Sequence, residues 1–276
     1  MFLKRLQLIN FKNYEEEVFD FSDKVTCLVG DNGAGKTNVL DAVYYLSSCK
    51  SYFNSIDSQN IMYDKDAFSI MGKYQVGETG KDAVQCVMQR NQRKVFRYNN
   101  KEYNKLSDHI GKLPCVMISP YDTNLIDAGS DERRKYIDIV ISQYDKLYLD
   151  DLIQYNKALA QRNTYLKQLY DSGKNDDVLI SLWDDQLVKF GNRIFEKRRK
   201  FIDEFILVFN SFYQLISPDD EHVSVEYESQ LMNTPLDELL RNSLEKDRIL
   251  RYTACGIHKD DLSFTLSGMP IKKYGS

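Results

Sequence analysis

No run in the chain approaches the ~18 consecutive apolar residues that a membrane-spanning helix needs. The first residues, Met1-Phe2-Leu3-Lys4-Arg5-Leu6, interleave charge with apolar side chains and lack the apolar core of a secretory signal. The five cysteines (Cys27, Cys49, Cys86, Cys115 and Cys255) form no C-x-x-C pair. That argues against zinc and disulfide frameworks and fits a reducing cytoplasm. Positive charge is not in excess: the net charge is −4 and the pI is about 5.5. A protein coated in basic charge is therefore excluded, while a local nucleic-acid patch is not. No proline falls between Pro120 and Pro218, so a long helical stretch can run uninterrupted. No internal repeat and no low-complexity segment occurs.

What is there is a phosphate-binding loop. Residues 30 to 37 read Gly30-Asp31-Asn32-Gly33-Ala34-Gly35-Lys36-Thr37, a full G-x-x-x-x-G-K-T. Val25-Thr26-Cys27-Leu28-Val29 is expected to enter it as a short apolar strand. From Asn38 a helix should leave it, with Val39, Val43 and Leu46 on one face. Each part has a physical task. The glycines let backbone N–H groups turn inward around a β-phosphate, and the helix N-terminus adds partial positive charge. Lys36 should bridge the β- and γ-phosphates of ATP, and the Thr37 hydroxyl should hold Mg²⁺. A glycine-rich turn with a chance lysine is the bland alternative, disfavoured by the flanking elements.

The chain has 276 residues, 42% of them hydrophobic, enough for a sizeable core and one to two domains. Residues 2 to 9 and 15 to 21 read as strands around a turn at Asn10 to Tyr14. Antiparallel strands are expected at 67–75, 83–89 and 95–98, with Asn99-Asn100 as a hairpin turn. Leu113 to Ile118 reads as a further short strand. Helical periodicity then takes over at 131–142, 146–170 and 176–216. The last of these carries Leu179, Trp183, Leu187, Phe190, Ile194, Phe201, Phe205 and Phe209 at helical spacing, with Arg198 as one polar interruption. Asp171-Ser172-Gly173-Lys174-Asn175 is the expected turn between two long helices. Residues 223–228 and 262–266 return to strand character.

The string G-x-N-G-x-G-K-T-N, ending in Asn38, resembles the ABC-type ATPase heads of the SMC and RecF group. Further segments are similar to the RecF family. They are Leu8-Ile9-Asn10-Phe11-Lys12-Asn13-Tyr14, Ser119-Pro120-Tyr121-Asp122 running on to Arg133-Arg134-Lys135-Tyr136-Ile137-Asp138, Tyr155 to Lys167, and Gly256-Ile257-His258-Lys259-Asp260-Asp261-Leu262. Asp131, Ile257, Lys259 and Phe53 depart from the family pattern, the last standing where many members carry arginine. The resemblance implies an α/β fold: an ABC-type P-loop ATPase head with an antiparallel β subdomain and an inserted helical, coiled-coil-like arm. Head residues would be 1–125 plus 250–276, and arm residues 126–249. It implies nucleotide contacts from Gly30 through Asn38 with Lys12 and Asn13, and a metal-sensing place for Asp122, whose plain alternative is a helix cap.

The resemblance also implies the function. Members bind DNA at single-strand gaps and duplex junctions, dimerise on ATP, and act with RecR and RecO to load RecA. Arg90, Arg93, Lys94 and Arg97 are candidate DNA-phosphate contacts. On the arm, Arg162, Lys167, Lys189, Arg193, Lys197, Arg198, Arg199 and Lys200 are candidates of equal standing with solvated helix faces. Arg133 and Arg134 are expected to tie arm to head, and His258 to pack rather than catalyse. In the family a signature and a Walker B acid follow the region of Lys272 to Ser276, and no substitute Walker B is found upstream. The expectation is weak nucleotide binding with negligible hydrolysis by these residues. A nucleotide-gated binding module without useful catalysis is the second reading. A P-loop nuclease, which would need an acidic metal cluster, is the third.

Overall fold

The computed structural model describes residues 1–172, 178–217 and 223–274, and the expected turn around Gly173 to Asn175 lies outside them, as does Ser276. The chain forms two compact units, Met1–Ile118 and Ser119–Ser276.

The first unit is a six-stranded, fully antiparallel sheet under one helix. Its strands are β1 (Phe2–Phe11), β2 (Tyr14–Asp20), β3 (Ala67–Val76), β4 (Gly80–Gln89), β5 (Val95–Tyr98) and β6 (Lys101–Glu102), in spatial order β2-β1-β3-β4-β5-β6. Period-2 patterning sends Leu6, Leu8, Phe68, Ile70, Val84, Cys86 and Phe96 into the core. Helix α1 (Lys36–Ser48) packs Val39, Ala42, Tyr45 and Leu46 against them. Gly72 on β3 permits the approach, since a Cβ there would lie 2.6 Å from Leu46 Cδ1. The β5–β6 hairpin turns through Asn99 and Asn100, both at positive φ (48° and 65°), as a two-residue turn of matching twist requires.

Two expected strands do not form. Val25–Val29 and Leu113–Ile118 pair with no described strand. Ser22 donates from Oγ to the Val25 carbonyl (2.8 Å) and from its N–H to Thr26 Oγ1 (3.1 Å), which holds the first segment's start in a turn. Apolar composition was present in both, but a strand also needs a hydrogen-bonded neighbour. Val25 and Val29 stay 79% and 89% exposed, and Val116 and Ile118 84% and 82%.

The second unit is mainly helical: α2 (Asn124–Asp127), α3 (Ser130–Tyr144), α4 (Lys146–Ser172), α5 (Val178–Ile216) and α6 (Leu236–Leu250), with α7 (Ile271–Tyr274) at its end. A small antiparallel sheet, β7 (Val223–Glu228), β8 (Asp261–Leu266) and β9 (Met269–Pro270), completes it. The expected boundary differs. Residues from 250 onward belong to this unit rather than to the P-loop unit, because β8 pairs with β7 and arginines of α3 and α5 hold the loop before it. Arg133 and Arg134 therefore act within one unit. Arg133 grips Asp261 with both arms (2.6 and 3.0 Å), and Arg134 donates to the Asp260 carbonyl.

The polar interruption on α5 is a core residue. Arg198 is 2% exposed and reaches Asp138 of α3 (2.9 Å), Asp260 (3.0 Å), the Ile257 carbonyl (2.8 Å) and Tyr148 Oη (3.1 Å). Arg162 of α4, fully buried, bridges Asp184 of α5 (2.6 Å), Asp247 of α6 (2.7 Å) and Thr253 Oγ1 (2.9 Å). His258 is neutral at pH 7. Burial lowers its pKa to about 4, its Nε2–H donates to the Thr253 carbonyl (3.0 Å), and Nδ1 accepts from Tyr155 Oη (2.9 Å). The expected packing role is what this geometry serves.

Replacing Arg162 with alanine strands Asp247 without solvent, and we expect a loss of about 3–5 kcal/mol in denaturant unfolding. A loss below about 1 kcal/mol would sink this account. The His258 effect has a defined sign. The unfolded chain takes the proton near 6.5 and the folded one only near 4, so this contribution is whole above pH 6.5 and drains away as pH falls towards 4. Stability should fall by up to about 1.4 kcal/mol per pH unit in that window. His258→Gln should flatten the slope, measured as urea midpoint against pH.

Candidate functional site

The turn at the start of the chain and the phosphate loop are built against each other. β1 and β2 meet at a turn in which Asn10 and Lys12 take left-handed backbone (φ 50° and 53°). The next two residues reach the loop. Asn13 Nδ2 donates to the Ala34 carbonyl (3.4 Å), and Tyr14 Oη donates to the same oxygen (3.3 Å). Asn38 Nδ2, from the first turn of α1, donates to Asn13 Oδ1 (2.7 Å). One short turn thus holds both sides of Gly35.

Gly35 is the N-cap of α1 at φ 94°, ψ 8°. A Cβ there would stand 2.4 Å from Asn13 Nδ2, 2.7 Å from Asn13 Oδ1 and 2.8 Å from Tyr14 Oη. Glycine is required twice, by backbone angle and by space. A glycine cap also carries no side chain to close the first helical turn, which leaves its N–H groups to an anion. Gly30 (φ 152°) and Gly33 (φ 84°) complete the reversal of the loop. Lys36 folds back over it, and its Nζ donates to the carbonyls of Gly30 and Asp31, both at 2.7 Å. The amine is therefore held at the start of the loop by two of its carbonyls.

Lys12 is engaged on α1: its Nζ pairs with Asp41 Oδ2 at 2.5 Å and lies 5.6 Å from the Phe53 ring centroid. Asp41, fully buried, also accepts from Ser51 Oγ and the Tyr52 N–H, both at 2.7 Å. The three contacts pin α1 four residues past Thr37. Asp41 escaped the sequence reading, although a carboxylate within an apolar helix face signals a buried partner. Tyr14 escaped it too, since a tyrosine beside a turn carries no spacing signal.

Among the described residues no cluster of three or more His, Cys, Asp or Glu could cage a metal. Mg²⁺ bound with a nucleotide needs only one or two protein oxygens, and Thr37 fits that demand. Asp122 is turned back on its own short helical turn, Pro120–Thr123. It accepts from the Ser119 N–H (2.9 Å) in a capping box. It thus closes the start of that turn rather than capping the following helix.

The cation candidates divide. Lys94 is already paired within the sheet unit. Its Nζ is taken up by Asp57 Oδ2 (2.7 Å) and the Cys49 carbonyl (2.6 Å), with its side chain 10% exposed. Arg90 and Arg93 lie exposed where β4 turns into β5, while Arg97 points at Glu102 (3.8 Å) and Gln85 (3.4 Å). In the helical unit Arg162 and Arg198 are core residues. Arg193, Lys197 and Arg199 pair with Asp151, Asp145 and Glu196. Lys167, Lys189 and Lys200 remain exposed.

Residues 2–121 match the RecF/RecN/SMC N-terminal domain family. The whole chain is 49% identical over 276 residues to the DNA replication and repair protein RecF of Bacteroides thetaiotaomicron, covering 74% of that protein. It is 48% identical to the same protein of Flavobacterium johnsoniae, covering 77% of it. Among solved structures it is similar to the recombination mediator protein RecF in its ATPrS-bound and ATP-bound forms, described in the RecFOR pathway. The TM-scores are both 0.92 at 28% and 29% identity, covering 100% and 99% of this chain and 76% and 75% of those.

Gly35→Ala is expected to weaken binding of a fluorescent ATP analogue by about tenfold or more, from backbone strain plus the collision with Asn13 and Tyr14. An unchanged affinity would show that the close approach is not required.

Proposed function

The chain belongs to the RecF family, and from that premise we propose that it binds ATP at Gly30–Asn38 and uses the nucleotide to gate its hold on DNA during repair. The observation that carries this is the braced loop. A glycine-capped helix end, a lysine amine 2.7 Å from two loop carbonyls, and an Asn13–Asn38 clamp together form a cradle for a triphosphate. Family membership and the ATP-bound relatives support the choice of ligand.

The roles follow from placement. Lys36 exchanges its carbonyl partners for β- and γ-phosphate oxygens, which carry full negative charge and hold an ammonium more strongly. Thr37 offers its hydroxyl to Mg²⁺, which supplies further neutralisation of phosphate charge. Asp122 is proposed as a metal-sensing group, as in the family. Asn13 and Tyr14 keep the loop open by holding the Ala34 carbonyl. Arg90 and Arg93 contact duplex phosphates without reading bases. RecR, RecO and RecA are the proposed partners, an ATP-dependent homodimer the proposed active form and the cytoplasm the proposed location.

The test is DNA retention by the purified protein with and without ATP. ATP should tighten binding to a gapped duplex, Lys36→Ala should abolish that increment, and Arg90→Glu with Arg93→Glu should weaken DNA binding about tenfold while leaving ATP affinity unchanged. DNA binding indifferent to ATP in the unaltered protein would refute the gating. ATP affinity unaffected by Lys36→Ala would refute the site.

A further inference from the structure

The helical unit carries a recess that nothing above employs. It lies between α4 and α5, has a volume of about 300 Å³, and is lined by Ala160, Gln161, Thr164, Tyr165, Gln168 and Trp183. The Trp183 and Tyr165 rings, both in the lining, meet at 5.2 Å with 58° between their planes. The lining contains no charged side chain. Phosphate or carboxylate finds no counter-charge inside it. What it offers is aromatic surface, two carboxamides, the Tyr165 hydroxyl and the Thr164 hydroxyl, which donates to the Ala160 carbonyl (2.9 Å) and can still accept: groups that stack against a flat ring and exchange hydrogen bonds with its edge.

The surroundings complete the argument. Gln161, Thr164 and Gln168 share one face of α4, and Lys157, four residues before Gln161, continues that face. Lys157, one turn before Gln161, and Lys167, next to Gln168 in the chain, are both exposed. On α5, Asp184 is turned inward to the buried Arg162 (2.6 Å), while Asp185 faces solvent. A flat uncharged group in the recess would therefore have exposed ammonium groups on the same helix that can take phosphates of the adjoining strand. A recess of this size takes a single planar ring with its sugar, and is at the small end for ligand sites.

We propose that this recess takes one unstacked base of single-stranded DNA. The inference rests on the DNA-binding reading above and adds a site to it. It divides the task between units: exposed arginines of the sheet for duplex phosphates, and an uncharged aromatic pocket of the helices for a base freed from the duplex.

Trp183 is the only tryptophan in the chain, so its emission reports on this recess alone. A short oligothymidylate should quench it, and an abasic strand of the same length should not. Gln161→Ala with Gln168→Ala, two exposed side chains whose loss spares the core, should raise the half-saturating oligothymidylate concentration about tenfold. The same double variant should bind blunt duplex, followed by anisotropy of a labelled strand, as the unaltered protein does. Absence of quenching, equal quenching by the abasic strand, or a double variant that titrates like the parent would each overturn the proposal. The first of these is the outcome if the recess instead serves an apolar peptide side chain. Duplex binding without quenching leaves the DNA-binding reading standing, whereas loss of both means that reading has failed as well.

Discussion

A charge withdrawn from water must be matched atom by atom, and that requirement organises both units. A lone guanidinium or carboxylate in a core is costly by several kcal/mol, so each buried charge recruits fixed partners. Arg162 and Arg198 each draw three separate elements together, and the helices cannot slide past one another without breaking charge-assisted bonds. Under the phosphate loop the same rule operates on a smaller scale. Asp41 is enclosed on α1, so Lys12, Ser51 and the Tyr52 N–H converge on it. The helix that presents Lys36 and Thr37 is thereby fixed to the β1–β2 turn at its base and, through Asn13 and Asn38, at its tip.

This constraint also determines which cations are left for a ligand. Seen along the chain, Lys94, Arg162 and Arg198 look like members of basic clusters. In the fold their charges are already consumed by Asp57, by Asp184 and Asp247, and by Asp138 and Asp260. The partners lie far away in sequence: 85 residues separate Arg162 from Asp247. No local pattern carries that information. Of the candidate cations, Arg90, Arg93 and a few lysines stay exposed and outside these pairs.

What was legible in the sequence is what short-range physics dictates. Alternation at Leu6 and Leu8, the Asn99-Asn100 turn and the G-x-x-x-x-G-K-T run each depend on a few adjacent residues, and each reads through to structure. The long period of α5 was equally plain, and Arg198 obeys it as a core position whose identity alone was unexpected. Val25–Val29 and Leu113–Ile118 mark the limit. Their composition is that of strands, but pairing is a relation between segments, and no described strand lies beside them. The role of Tyr14 at the loop was hidden for the same reason, since only the folded turn brings its hydroxyl to the Ala34 carbonyl.

At the proposed phosphate site, the position of Lys36 would set how much of the phosphate attraction survives as affinity. Its ammonium already holds two neutral carbonyls at 2.7 Å. Binding a nucleotide as proposed would replace two hydrogen bonds from a charged donor with stronger ones to an anion, so that only the difference would count. The loop itself contributes little further cost. Gly30, Gly33 and Gly35 already hold the positive φ angles of the reversal, and Asn13, Tyr14 and Asn38 keep them there. Ordering has been completed by folding, so it is not subtracted again on binding. A site of this kind discriminates through charge and fit at its open face. The braces beneath it act on affinity by preventing the loop from relaxing, without touching the ligand themselves.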